Sequence, residues 1–334
     1  MLKTEQLMAI NVQNGNGDKI LGKYLYYSFP RLIVPLERIN EICDTLNFPV
    51  RANEKISLTD AFRSATGEIR ERIEENNGLT KNIYRIYFRD NKRVDNDILS
   101  RELVEETLDA TTNQYHKLAN VSYDKASKEL VISDVDYNSD RDIYGYFEKV
   151  KSLFIRYQQC ISNRAIETMA EKYVARLNAI GISARGHHYF VPKAYMHKID
   201  LLEDFLETIA QENLFTYAGN RNAKYISVNS MYVVDDEKQR GKMANEFYLD
   251  IGKNLEEYQR RLAHLIRGGN SSQAILDRWT LKIQTLETKK REYETILKQN
   301  LSGIDEEFDM LQSMCEQFKI RVMQSQLYGV AMAA

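Results

Sequence analysis

Proline and cysteine are scarce in this chain, and each scarcity excludes a class of protein. The sequence has 334 residues with 4 prolines and 3 cysteines, and no proline follows Pro192. Because proline interrupts helices, the last part of the chain can form long continuous ones. Cys43, Cys160 and Cys315 have no paired spacing, which argues against a disulfide framework or a zinc ribbon and favours a reducing compartment. We therefore expect a cytoplasmic protein.

Signatures of common enzymes and of membrane segments are missing as well. The sequence contains no GxxxxGKS/T, GxGxxG, GxSxG or HExxH pattern, so NTPase, dinucleotide-enzyme, hydrolase and zincin interpretations lack support. No stretch approaches the ~18 apolar residues that span a bilayer, and the N-terminus does not show a secretory signal. A net charge of -2 provides no general attraction for polyanions. We expect a non-enzymatic protein without a cofactor, a metal or a membrane contact.

The strongest pattern that is present lies in the C-terminal third. From Trp279 onward, apolar residues recur at steps of mostly three and four, the spacing that lets one helix pack along another. This stripe predicts an antiparallel helical coiled-coil arm over residues 237–334, interrupted at Gly268–Ser272 and near Ser302. We expect the arm to mediate self-association or docking to a protein partner. The predicted interface residues are Trp279, Ile283, Leu286, Tyr293, Leu297, Ile304, Phe308 and Leu311.

The residues before the arm predict strands and helices of mixed type. A helix that begins after Ser57 is expected to run toward Ile73, after which the apolar pattern alternates with period two. Consecutive strands joined by short turns indicate an antiparallel meander. These strands are expected at 82–89, 101–108, 114–123 and 129–133.

A single long helix is then predicted from Arg141 to Ile180. The predicted fold class is therefore α+β: an antiparallel meander sheet with helices, a second small α/β unit around the long helix, and the coiled-coil arm. The corresponding domains are an N-terminal α+β domain over 1–137, the long helix with its small unit over 138–236, and the arm over 237–334.

Basic and aromatic residues alternate on the first strand of the predicted meander. Arg85, Tyr87 and Arg89 share one face of it, and Lys92 and Arg93 extend the positive charge. Guanidinium groups beside an aromatic ring on an exposed sheet suit the stacking of single-stranded nucleic acid. Solvated faces of antiparallel strands often have the same composition, so both interpretations stay open.

Three of the five histidines lie close together in the sequence, at His187, His188 and His197. Imidazoles that converge can bind a metal or act as acid and base, as in a hydrolase or nuclease. Arg185 and Lys193 flank the start of a predicted helix, where they would hold a phosphate. The histidine spacing matches no established metal motif, and the alternative is an ordinary strand with partly buried imidazoles.

Acidic and amide residues alternate from Asp134 to Asp142, before the predicted long helix. Such a series of oxygen ligands suggests a calcium loop. The EF-hand pattern requires glycine at its sixth position and glutamate at its twelfth, where this chain has Ser139 and Gly145. Capping of the following helix is the interpretation that fits.

Four short segments resemble a known family. They are LGKY at 21–24, LTDAFR at 58–63, RELVEET at 101–107 and YFVP at 189–192. In these segments the chain resembles an uncharacterised family of domain-of-unknown-function proteins encoded by phages, plasmids and integrated mobile elements of bacteria and archaea. The resemblance implies a mobile-element setting and carries no catalytic residues with it.

Three functions follow from these patterns. The leading hypothesis is a non-enzymatic phage or mobile-element protein that binds a partner macromolecule and self-associates through its helical arm. The second is a protein that binds single-stranded or double-stranded nucleic acid through Arg85, Tyr87 and Arg89. The third is a metal-dependent hydrolase or nuclease centred on the three histidines.

Overall fold

The computed structural model describes residues 20–53, 55–77, 80–91, 97–108, 114–182, 186–214 and 226–333. Within these ranges the chain forms eleven strands and eight helices. The strands are β1 (Ile20–Ser28), β2 (Ile33–Pro35), β3 (Arg70–Asn77), β4 (Thr80–Asp90), β5 (Ile98–Thr107), β6 (Gln114–Asp124), β7 (Glu129–Ser133), β8 (Cys160–Ser162), β9 (Ile180–Gly181), β10 (His187–Pro192) and β11 (Ser227–Val234). The helices are α1 (Leu36–Thr45), α2 (Leu58–Gly67), α3 (Ile143–Tyr157), α4 (Asn163–Arg176), α5 (Ile199–Gln211), α6 (Glu237–Arg267), α7 (Gln273–Leu297) and α8 (Asp305–Ala333).

The chain divides into two compact units, and each combines segments that are distant in sequence. The described residues within 29–169 and 207–225 form one unit, here called the meander unit. Those within 1–28, 170–206 and 226–334 form the other, here called the bundle unit. The α+β class with antiparallel sheets is confirmed. The three consecutive domains drawn from the sequence stay a prediction.

The meander unit is built on a five-stranded antiparallel sheet in the order β3-β4-β5-β6-β7. Successive side chains of a strand point to opposite faces. On the inner face, Ile86, Phe88 and Leu103 pack with Phe62 of α2 and Phe154 of α3. The opposite side of the sheet, which these two helices leave uncovered, carries the polar residues.

The predicted helix from Ser57 toward Ile73 is too long. Helix α2 ends at Gly67, and Arg70–Asn77 forms strand β3, paired along its whole length with β4. The hydrogen bonds between β3 and β4 stabilise the extended conformation here. The sequence of residues 70–77 taken alone does not reveal these hydrogen bonds.

The single helix predicted from Arg141 to Ile180 is wrong. Helices α3 and α4 are separated by strand β8, which pairs with β2. Asn163 stabilises the chain between α3 and α4. Its Nδ2 donates to the Pro30 carbonyl at 2.6 Å, and its Oδ1 accepts from the Leu32 N–H. The apolar residues of β8 suit a buried strand as well as a helix, and only the neighbouring β2 decides between them.

The bundle unit packs helices α6, α7 and α8 with a four-stranded antiparallel sheet in the order β11-β1-β10-β9. Phe190 and Val233 from the sheet share one buried cluster with Phe247, Tyr293 and Phe318 from the three helices. The predicted breaks are present: α6 ends before the two glycines at 268–269, and a short 3-10 turn at Ser302–Ile304 precedes α8. That these three helices form a coiled-coil arm stays a prediction.

Candidate functional site

The uncovered side of the meander sheet presents the predicted residues Arg85, Tyr87 and Arg89. All three lie on β4. The side chains of Arg85 and Arg89 are 50% and 45% exposed. Lys92 and Arg93 lie outside the described residues.

Neighbouring strands add residues to this surface that the sequence analysis missed. Arg70 and Arg72 of β3 lie directly opposite Tyr87 and Arg85, and directly opposite residues share a face. On β6, Tyr115 lies opposite Glu106, the β5 partner of Arg85, and Lys117 lies opposite Val104, the β5 partner of Tyr87. We call this surface the outer face: Arg70, Arg72, Arg85, Tyr87, Arg89, Tyr115 and Lys117.

Two glutamates of β5 orient the arginines of the outer face. Arg85 Nε donates to Glu106 Oε2 at 3.0 Å, and Arg89 Nε donates to Glu102 Oε2 at 2.8 Å. Glu106 is only 1% exposed, and its hydrogen bond raises the pKa of the Arg85 guanidinium. Each guanidinium has five N–H donors, so donors remain for an anionic ligand.

The arginines also lie over tyrosine rings. Arg85 is 4.9 Å from the centroid of the Tyr87 ring, and Arg89 is 5.7 Å from that of Tyr115. Burial raises the pKa of the Tyr87 hydroxyl, whereas Tyr115 is 54% exposed. The arrangement offers a flat aromatic surface beside cations, which suits a base and its phosphate.

The three predicted histidines lie on two different elements, and two of them point to opposite faces of one strand. His187 and His188 are neighbours on β10, so their side chains point to opposite faces of the sheet. His187 stacks on Tyr27 with centroids 4.6 Å apart, and His188 stacks on Tyr26 at 5.8 Å. His197 lies exposed in a 3-10 turn. In the described part of the chain, no three His, Cys, Asp or Glu residues are arranged to hold a metal ion.

The predicted phosphate site is only half described. Lys193 is exposed at the start of the same 3-10 turn, and Arg185 lies outside the described residues. A phosphate site formed by these two residues stays a prediction.

The acidic series before α3 has structural partners. Lys117 Nζ donates to Asp134 at 2.7 Å, and His116 Nε2 lies 2.7 Å from Asp136. Asp142 accepts a hydrogen bond from the Gly145 N–H at 2.9 Å and thereby caps α3. The capping interpretation is the one that this geometry supports.

The apolar stripe of the C-terminal helices lies inside the chain's own core. All eight predicted interface residues are buried, including Trp279 and Phe308 at 5% exposure, in the cluster that also contains Phe190 and Val233 of the sheet. A second copy cannot reach them unless the core opens. We therefore correct the prediction: the stripe packs within one chain, because the chain supplies its own apolar partner surface.

A second polar cluster lies in an open cleft of about 720 Å³ in the bundle unit. Lys289 of α7 donates to the carbonyl of Ala179 at 2.6 Å and lies 3.8 Å from Asp250 Oδ2 of α6. Their side chains are only 18% and 26% exposed. Burial lowers the pKa of Lys289 and raises that of Asp250, so both groups are shifted toward their neutral forms.

This pair escaped the sequence analysis, and no sequence signal identifies it. Asp250 adjoins an apolar helix position, and Lys289 belongs to a run of three basic residues that is typical of a solvated helix face. Asp250 also accepts a hydrogen bond from the Gly181 N–H. The pair therefore links α6 and α7 to Gly181 of β9 and to Ala179, and its role is structural.

Asp235 provides the clearest pH-dependent contact of the bundle unit. It accepts from Lys298 Nζ at 2.8 Å and from Arg240 at 2.5 Å, with 11% of its side chain exposed. The Lys298 hydrogen bond lowers the pKa of the carboxyl below 3.8. Its contribution to stability is therefore complete above 3.8 and is lost as the pH falls through the lower folded-state value.

We expect that below about pH 4 the free energy of unfolding of Asp235→Asn depends less on pH than that of the wild type. The check is urea unfolding at a series of acidic pH values, with Asp309→Asn, at an exposed position of α8, as the control. A uniform loss at every pH would contradict the assignment.

The fold and the outer face together define an α+β protein of two units that displays a basic, tyrosine-bearing sheet surface. A model of a family of unknown function, DUF6744, matches residues 20–326, and the chain belongs to this family. No similar curated protein and no similar solved structure was found. In the described residues, no helix contains an apolar stretch long enough to cross a membrane.

Proposed function

We propose that this is a non-enzymatic protein of a phage or other mobile element, and that it binds single-stranded nucleic acid through the outer face of the meander unit. The observation that carries the proposal is the set of arginine and tyrosine side chains that strands β3, β4 and β6 place on one face of the sheet, on either side of the glutamates of β5. The mobile-element setting rests on the resemblance of four short segments to proteins of phages and plasmids.

The charge of the outer face favours an anionic partner. Its five cations are Arg70, Arg72, Arg85, Arg89 and Lys117. The carboxylates that contact them are Glu74, Glu102, Glu106 and Asp134. The excess is small, so binding should be moderate and sensitive to salt, as expected when phosphate contacts displace counterions.

The rings favour a single strand over a duplex. The major groove of a duplex admits a helix or a two-stranded ribbon, and a five-stranded sheet is wider than either, whereas unstacked bases lie readily on exposed aromatic side chains. Tyr115 is the ring best placed for this, because it is 54% exposed and has Arg89 beside it. Stacking is tolerant of sequence, so we expect little base preference.

We expect Tyr115→Ala to weaken binding of a single-stranded oligonucleotide by about 1–3 kcal/mol, the effect of losing one base–aromatic stack. The measurement is fluorescence anisotropy of labelled single-stranded DNA and RNA at low and moderate salt. Tyr144→Ala is the matched control, because Tyr144 is 51% exposed in the same unit but lies on α3, which packs against the inner face.

Absence of binding at low salt would exclude nucleic acid as the partner. Equal losses in the two tyrosine variants would mean that the outer face is not the site. Tighter binding of duplex than of single strands would contradict the stacking argument.

A further inference from the structure

Strand β11 is one edge of the bundle-unit sheet as far as the described residues show. Among the described residues its paired neighbour is β1 on one side, over residues 227–234. The backbone N–H and C=O groups on the other side of such a strand form a template for another strand. Proteins usually protect an exposed edge with charged residues, proline, a bulge or short length.

The other edge of the bundle-unit sheet and both edges of the meander sheet have such protection. Strand β3 reads RERIEENN, in which five of eight residues are charged. Strand β7 has five residues and begins with glutamate, and β9 has only two residues. In contrast, β11 reads SVNSMYVV over eight residues, with neither a charge nor a proline. It is therefore the unprotected edge among these four.

The side chains of β11 are suited to an interface. Met231 is 59% exposed, Val234 is 39% exposed and Tyr232 is 36% exposed. On the adjacent strand, Tyr26 is 37% exposed. Valine and tyrosine are enriched in β-strands, and Met231 adds a further exposed apolar side chain.

We infer that β11 pairs in antiparallel orientation with β11 of a second copy of this chain. The second copy is the favoured occupant because an uncharged strand is complementary to itself in charge. A two-fold arrangement also satisfies both unprotected edges at once and stops further growth. This surface is separate from the outer face, so the inference goes beyond the proposed binding of nucleic acid.

Symmetry restricts the register. A two-fold axis perpendicular to the sheet relates two antiparallel edge strands with the same face outward, and it passes midway between the two strands, where one residue lies opposite its own copy. The two registers that keep most of β11 paired centre on Ser230 or Met231. In either register the two Met231 side chains are directly opposite or diagonal neighbours, within about 8 Å.

The test is the oligomeric state of the full chain, measured by sedimentation velocity across the micromolar range. We expect the wild-type protein to be a dimer. Met231→Lys and Met231→Asp should each weaken the dimer about fivefold or more, because like charges then face each other across the two strands. An equimolar mixture of the two variants should recover the dimer, because opposite charges now meet.

Leu281→Lys is the control, since Leu281 is 65% exposed on α7 and lines the cleft together with Gly181 of β9, the strand at the opposite edge of the sheet from β11. A wild-type monomer at all concentrations would overturn the inference. So would a dimer that Leu281→Lys disrupts and the Met231 variants leave intact. Binding of oligonucleotide is measured separately, so failure here is distinguishable from failure of the proposed function.

Discussion

Replacing Trp279 with alanine is expected to lower the free energy of unfolding by about 3–5 kcal/mol, the usual effect of removing a large buried aromatic side chain. Trp279 is 5% exposed. It meets Tyr258 edge-on with centroids 5.2 Å apart, and Lys282 Nζ lies 4.8 Å above its ring. These contacts are within one chain, so the loss should be the same at low and high protein concentration. Urea unfolding at two concentrations measures both quantities.

Leu281→Ala is the matched control for this prediction, because it changes a 65% exposed residue on the same helix. Its effect should stay within about 0.5 kcal/mol. If Trp279→Ala left the stability unchanged but dissociated an oligomer, the stripe would belong to an interface between chains after all.

The second large effect is expected at the buried pair of Asp250 and Lys289. Lys289→Met removes the larger of the two cationic contributions to Asp250 and leaves only that of Lys253, and Asp250→Asn removes the carboxylate that faces Lys289. Each single change should lower the free energy of unfolding by about 3 kcal/mol, because an unpaired buried charge is strongly unfavourable. The double variant should lose less than the sum of the two, with a coupling of about 1–3 kcal/mol.

The pH dependence distinguishes an unpaired charge from a simple packing defect. Burial raises the folded-state pKa of Asp250 above 3.8, so the folded protein binds this proton more readily than the unfolded chain. Because Lys289 lowers the pKa of Asp250 in the wild type, this pKa should rise further in Lys289→Met, and the loss of stability should be fully present above that higher value. It should shrink as the pH falls toward 3.8, where protonation removes the unpaired charge.

Urea unfolding of Lys289→Met and of the double variant at several pH values tests this sign. The double variant has no carboxylate at position 250, so its curve should lack the recovery in acid. An equal loss for Lys289→Met at every pH would show that the pair contributes packing alone.

Local patterns were sufficient for much of the fold. Alternation predicted β4, β6 and β7 to within two residues, because one face of each strand is less exposed than the other. Glycine and serine clusters predicted where α6 and α7 end. The same alternation identified Arg85, Tyr87 and Arg89 as residues that share one face of β4, since side chains of a strand point alternately to opposite faces.

What the sequence by itself determined is which residues are apolar and with what period. The tertiary structure decided what those residues meet. The stripe at Trp279 has the same spacing whether it packs on a second copy or on the chain's own sheet, and only the position of Phe190 and Val233 settles this. Strands β3 and β8 depend on hydrogen bonds from β4 and β2. Arg70 and Arg72 join the outer face, and Asp250 meets Lys289, only through contacts between residues distant in sequence, which periodicity along one segment cannot encode.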